Sequence, residues 1–387
     1  MRRGAIFYTV ACILVFLLFA GLAWLVLGLL FYIGLIFLSR LDLPWIRYIR
    51  SRQVLSGPLI LFALFFSTIC FRVFIAEIYH VPSGSMEESL LDGDNILMCK
   101  LNYGPKLPGS AAEIPWAGLF YFLSRHVSDS DRTGKPSSRR LSGFSSLHRG
   151  DIVVFRMPET SNSPLVKRCA GQPGDRVLIT DGRVVINGDT VRPVSTTKYF
   201  YKMRFSDMDD FTDLMERLDI NFYFDGGDKA CAYGYFSLRL CDSLRHAKCI
   251  SSVERALMSY NGSPCVYPWD TSYKWTIDNY GPILVPSKGM KIVLNRLNYV
   301  LYKNIFDHYE HVSMRGTDGR FYSDEGEIRE YVFRNDYCFT LGDNWNDSDD
   351  SRYWGFLPMQ NVEGKAICIL FSNAHRHFNW DRILRWL

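Results

Sequence analysis

The sequence predicts a mainly β protein that begins with transmembrane helices and continues as a two-part β-sheet domain interrupted by a large inserted subdomain. Three observations carry this expectation. Residues 4–39 and residues 54–71 contain no charged side chain, unlike the rest of the chain. Beyond residue 150, short apolar runs recur between the turn dipeptides Arg149-Gly150, Asp181-Gly182 and Asn187-Gly188, the pattern of strands joined by tight turns. Two Gly-Asp-containing blocks, at residues 171–175 and 341–355, stand too far apart for a loop to join them, so the intervening chain has to fold as a unit of its own.

The first apolar run is 36 residues long, where about 20 cover a hydrocarbon core of roughly 30 Å. It spans with length to spare and exceeds the h-region of a cleavable leader, about 7–15 residues. The second run has 18 residues and is extended by Val73-Phe74-Ile75-Ala76 beyond Arg72. The connecting loop carries Arg40, Arg47, Arg50 and Arg52 against Arg2 and Arg3 at the N-terminus, so the positive-inside rule places the loop in the cytoplasm. Residues 1–53 are therefore expected to hold one span and a cytoplasmic loop, residues 54–79 a second span, and residues 80–387 lie on the outer face.

The formal charge of +4 is small and scattered, which excludes a nucleic-acid partner and at most favours an anionic membrane lipid surface. Cys231, Cys241, Cys249 and Cys265 match no zinc spacing. On the outer face they predict one or two disulfides of unspecified connectivity.

Within the outer part, residues 151–155 read as a strand, and residues 176–179 pair with 184–186 through Asp181-Gly182. Residues 104–148 form a Pro-, Ser- and Gly-rich connector with an apolar patch at 115–123. An acidic-apolar helix near 207–218, the cysteine cluster and a strand starting at Tyr280 fall in the inserted stretch. The expected boundaries are 80–170 for the first part of the main domain, 171–335 for the insertion, and 336–387 for the second part and C-terminal tail.

Chemistry concentrates in three blocks. Val81-Pro82-Ser83-Gly84-Ser85-Met86 follows the second apolar run by about ten residues. Leu165-Val166-Lys167-Arg168 leads into Gly171-Gln172-Pro173-Gly174-Asp175. Leu341-Gly342-Asp343-Asn344 precedes Ser348-Asp349-Asp350-Ser351-Arg352-Tyr353-Trp354-Gly355-Phe356. A serine nucleophile needs a base, and none of the eight histidines stands in a triad signature. A desolvated lysine can serve instead, because burial disfavours the ammonium and lowers its pKa from about 10.4 by several units.

These blocks, in this order behind apolar spans, closely resemble the bacterial type I signal peptidases, membrane-bound Ser/Lys endopeptidases. The resemblance implies Ser85 as nucleophile, Lys167 as general base, and Ser83 with the backbone N–H of Ser85 as the oxyanion hole. It implies that Ser348 orients the lysine, that Asp350 with Arg352 or Arg168 forms a supporting ion pair, and that Val81, Pro82, Met86 and Val166 line a groove taking an extended peptide with small residues at the first and third positions before the cut. It further implies signal peptides of exported preproteins as partners, no cofactor or metal, a monomer, and a multi-pass protein of the inner membrane.

One departure stands out: the family's usual arginine after Gly-Asp-Asn is Trp345 here, and an indole neither carries charge nor offers five donors. Residues 343–350 do not fit a calcium loop, since Trp345 and Ser348 occupy positions that require Asp or Asn and Gly. The alternative to the enzyme is a membrane-anchored, non-catalytic peptide-binding homologue that has lost turnover through the Trp345 change.

Overall fold

The computed structural model describes residues 65–108, 139–157, 161–324, 326–374 and 377–387. The first apolar run, the arginine-bearing loop, most of the second run and the 115–123 patch lie outside the described residues. Among the described residues no helix is long and apolar enough to cross a membrane. The described residues divide into two compact units, one drawn from 65–79, 95–108, 139–146 and 364–368, the other from the described residues of 80–94, 147–363 and 369–387.

In the smaller unit, β1 (Ala76–His80) neighbours β2 (Asp94–Cys99). Glu77 there accepts from both Arg72 and Lys100 at 2.8 Å.

The larger unit is built mainly of antiparallel strands. β3 (Ile152–Met157) and β4 (Ser161–Gly171) pair with Val153 opposite Lys167 and Ile152 opposite Arg168. The hairpin of β5 (Arg176–Thr180) and β6 (Arg183–Ile186) turns at Asp181 and Gly182, both with positive φ, 49° and 68°. That is what a two-residue hairpin matching strand twist requires. β7 (Asp189–Thr190) extends this sheet.

β8 (Lys198–Phe205), the helix α1 (Met208–Arg217), β9 (Phe222–Phe224), β10 (Cys231–Ser237), the helix α2 (Leu238–Leu244) and β11 (Ile250–Arg255) follow, with strand order β11-β8-β10-β9. Asp207 caps α1 by accepting from the Asp210 N–H at 2.9 Å, and Phe211 and Met215, four apart, bury one face. Stacked pairs such as Tyr201 with Phe236, centroids 4.4 Å apart, and Phe205 with Phe211, 4.3 Å, make the core here strongly aromatic.

β12 (Tyr280–Leu284) pairs with β5, while β13 (Lys291–Val293), the helix α3 (Arg296–Asn304), β14 (Arg315–Thr317), β15 (Arg320–Ser323), β16 (Gly326–Ile328) and β17 (Glu330–Val332) complete the inserted stretch. β18 (Tyr337–Leu341) then pairs with β4 and, after the helix α4 (Ser351–Trp354), with β19 (Leu357–Pro358). β20 (Val362–Ser372) and β21 (Arg385–Trp386) close the chain.

The expected disulfides are not formed. Cys231, Cys241, Cys249 and Cys265 are free thiols, on β10, on α2, in a turn and in a loop respectively, and two have their own polar neighbours: Cys249 Sγ lies 3.9 Å from the Asp210 carbonyl and Cys265 Sγ 3.6 Å from that of Trp275.

Candidate active site

Ser85 lies in a one-turn 3-10 helix, Gly84–Met86, entered from Ser83 in an extended conformation. The approach is pinned by two backbone bonds, Val81 N–H to the Asp94 carbonyl at 2.8 Å and Gly93 N–H to the Val81 carbonyl at 3.0 Å. Val81 and Met86 are buried, whereas Pro82 and Ser83 are exposed and Ser85 half-buried. The apolar side chains thus anchor the turn and leave its hydroxyls accessible. Ser83 Oγ lies 3.4 Å from Ser85 Oγ.

Strand alternation sends neighbouring side chains of β4 to opposite faces. Lys167, only 3% exposed, reaches Ser85 and donates from Nζ to Oγ at 2.5 Å. Arg168 forks instead onto Asp343, 2.8 Å from Nε and 2.6 Å from Nη2, and Val166 is buried. Burial lowers the Lys167 pKa, with the carboxylates of Asp350 and Asp349 pulling it part of the way back.

Leu341, at the end of β18, stands opposite Arg168, so the following loop begins beside β4. Asn344 straps the serine turn: its N–H donates to the Ser85 carbonyl and its Nδ2 to that of Gly84, both at 3.1 Å. Gly342 N–H donates to Asp350 Oδ2 at 3.0 Å. A side-chain carbon on Gly342 would collide with Ser348 Oγ and stand 2.6 Å from the Ser85 carbonyl oxygen, so only glycine fits between them. Ser348 Oγ is buried without a hydrogen-bond partner among the described residues.

Of the two arginines considered for Asp350, Arg352 is the partner. Its Nε and Nη2 meet the carboxylate at 2.9 and 2.7 Å, and both side chains are fully buried. Arg168 belongs to Asp343.

A serine hydroxyl in hydrogen-bond contact with a buried amine, on a loop-strapped turn, is suited to nucleophilic attack on an acyl carbon. The family model for signal peptidase, peptidase S26, matches residues 52–229 and 282–371. The chain belongs to this family. It is 24% identical over 335 residues to signal peptidase I of Buchnera aphidicola subsp. Baizongia pistaciae, covering 86% of this chain and 82% of the relative. It is 23% identical over 312 residues to signal peptidase I of Aquifex aeolicus, covering 81% and 82%. Against signal peptidase I of Pseudomonas fluorescens the identity is 34% over 131 residues, 34% of this chain and 37% of that one.

As a member of the signal peptidase family the protein is a serine endopeptidase, and the described part is a mainly β peptidase. The family match omits residues 230–281, where the partner of Trp345 resides. Trp345 is buried, its Nε1 donates to Asp278 Oδ1 at 2.8 Å, and its ring lies under the Arg352 guanidinium, 4.3 Å from centroid to Cζ. Arg352 Nη2 in turn donates to the Trp345 carbonyl at 2.7 Å. The indole is a packing anchor between Asp278 and Arg352.

Four further residues shape the site without having been assigned from sequence. Gly342, Asp343 and Asn344 stood in a recognised block, and the signal for them was the unbroken Gly-Asp-Asn run itself. Asp278 had no signal, because an isolated aspartate in the insertion announces nothing about an indole 67 positions away.

Proposed function

We propose that this protein cleaves signal peptides from exported preproteins with Ser85 as nucleophile and Lys167 as general base. The observation that carries the reading is the 2.5 Å contact between Lys167 Nζ and Ser85 Oγ with the lysine almost wholly buried. A neutral amine takes the hydroxyl proton as oxygen attacks the scissile carbonyl, then returns it to the leaving amine. Ser83 Oγ and the Ser85 N–H stabilise the oxyanion. Asp350 and Arg352 brace the loop bearing Ser348, and Arg168 with Asp343 fixes β4 to the same loop; the expected orienting bond from Ser348 to the lysine is not made, because the Ser348 hydroxyl has no hydrogen-bond partner among the described residues.

The substrate lies extended along Val81, Pro82, Met86 and Val166, presenting alternate side chains to the protein, which selects small residues at the first and third positions before the cut. The enzyme acts as a monomer held in the inner membrane by two spans, with residues 80–387 on the outer face.

The test is incubation of the purified, detergent-solubilised chain with a preprotein, the cut mapped by mass spectrometry. Cleavage after an Ala-X-Ala-like sequence, lost in Ser85→Ala, is expected. Cuts mapped after basic or aromatic residues, or processing that survives Ser85→Ala, would overturn the reading.

A further inference from the structure

Behind the catalytic strand, on the Arg168 side of β4, the larger unit encloses a cavity of about 490 Å³, within the size range of small-molecule sites, roughly 300–1,000 Å³. Five arginines line it, Arg149, Arg168, Arg183, Arg192 and Arg255, against one lining carboxylate, Asp343. Arg149 is occupied by Asp175, at 2.8 and 2.6 Å, and Arg168 by Asp343. Arg255 is stacked on Tyr199, 3.6 Å from the ring centroid, and spends one donor on the Gly182 carbonyl. Among the described residues Arg183 and Arg192 have no carboxylate partner, so the mouth holds an uncompensated positive field.

Most of the rest of the wall is apolar or aromatic, with Val184, Val191, Val194, Leu238 and Tyr199 beside Thr190 and Thr197. A free inorganic anion would use the guanidinium groups and leave this surface in contact with nothing, whereas an amphiphile with an anionic head uses both. Guanidinium forks match phosphate oxygens in geometry as well as charge.

The surroundings indicate which amphiphile. Thr196, in the loop that walls the cavity, shares a 2.7 Å hydroxyl–hydroxyl bond with Ser89. The Ser89 carbonyl accepts from Arg382 at 3.1 Å. Arg382 belongs to the C-terminal tail, where Trp380 and Trp386 are each 76% exposed and Leu384 is 61% exposed. Exposed tryptophans beside arginine are the composition that settles at a lipid–water interface. The tail and the cavity wall are therefore joined by two hydrogen bonds through one serine.

We propose that this cavity is a binding site for the phosphate headgroup of an anionic phospholipid, held by Arg183, Arg192 and Arg255 with the adjoining carbons against the valine and leucine wall. Its floor is the Arg168–Asp343 pair, next to Gly342, so an occupied cavity stabilises the loop strapped to Ser85.

The experiment uses the full chain in neutral detergent micelles doped with increasing mole fractions of dioleoyl phosphatidylglycerol or dioleoyl phosphatidylcholine, with inorganic phosphate as a soluble comparator. It reads the thermal midpoint and hydrogen exchange of the amides at 190–197. No substrate enters, so the outcome is independent of whether Ser85 and Lys167 cleave. The expected result is a raised midpoint and slowed exchange with phosphatidylglycerol alone. Arg183→Ala should need roughly tenfold more lipid for half effect, and Arg183→Ala/Arg192→Ala roughly tenfold more again; both positions are exposed and leave the fold intact. Equal protection by phosphatidylcholine, or by inorganic phosphate, would overturn the assignment. So would an unchanged response in the double variant, or protection by an acidic peptide without lipid.

Discussion

Lys167 and Ser85 stand 82 positions apart in sequence, yet Nζ and Oγ meet at 2.5 Å, one from a strand and the other from a turn strapped by a third segment. On the proposed mechanism such a pair acts as a unit. Ser85→Ala and Lys167→Met should each reduce turnover by at least about 10⁴-fold, and the double variant should be no slower than either. Initial rates on a preprotein decide it: a double variant far below both singles means the two groups act separately.

The pH behaviour follows from the direction of the lysine shift. Burial disfavours the ammonium of Lys167, placing its folded pKa below the ordinary 10.5, and activity should fall as acid protonates it. Between the folded value and 10.5 the unfolded chain holds the extra proton, so stability rises with pH across that window. Below it, both states are protonated and the folded state carries the full cost. Lys167→Met should therefore be more stable than the parent in acid, with the advantage shrinking toward pH 10.5. Denaturant midpoints measured across pH test this, and a constant difference between the two proteins would contradict it.

Gly342→Ala should cost roughly 100-fold in turnover, because displacing Ser348 or the Ser85 carbonyl by even part of an ångström misaligns the attack. Binding of an uncleavable signal-peptide analogue should be retained. Full activity in Gly342→Ala would show that the loop yields without disturbing the turn.

Asp350→Ala leaves the fully buried Arg352 guanidinium unpaired and should destabilise by about 3–5 kcal/mol. Trp345→Phe keeps most of the packing under Arg352 but removes the donor to Asp278, for about 1–3 kcal/mol. Chemical denaturation of both variants separates the roles; an unchanged Trp345→Phe midpoint would mean that the indole N–H contributes nothing.

Much of this was legible in the sequence wherever the cause is local. The β5–β6 hairpin could be placed because Asp181 and Gly182 tolerate the positive φ that the turn demands, and α1 because residues 207–218 read as an acidic-apolar helix. Ser85, Lys167, Asp350 and Arg352 came from the resemblance of three ordered blocks to a known family, and the fold brings Lys167 to Ser85 and Arg352 to Asp350. The disulfides were misread because cysteine spacing carries no information about where the fold places the thiols. The Trp345–Asp278 bond was out of reach for the opposite reason, since tertiary packing alone brings the two together.

β8, within the inserted stretch, touches the loop that follows β18 directly. Lys198 N–H donates to the Asp343 carbonyl at 2.8 Å, the Lys198 carbonyl accepts from Trp345 at 2.9 Å, and Phe200 N–H is bound by Asn346 Oδ1 at 3.0 Å. The insertion is therefore not a detachable module. Excising residues 198–280 to obtain a minimal peptidase would strip the loop of these partners and of Asp278 together, and an engineer shortening this chain would have to supply a new edge for the loop or move the cut to the far side of β8.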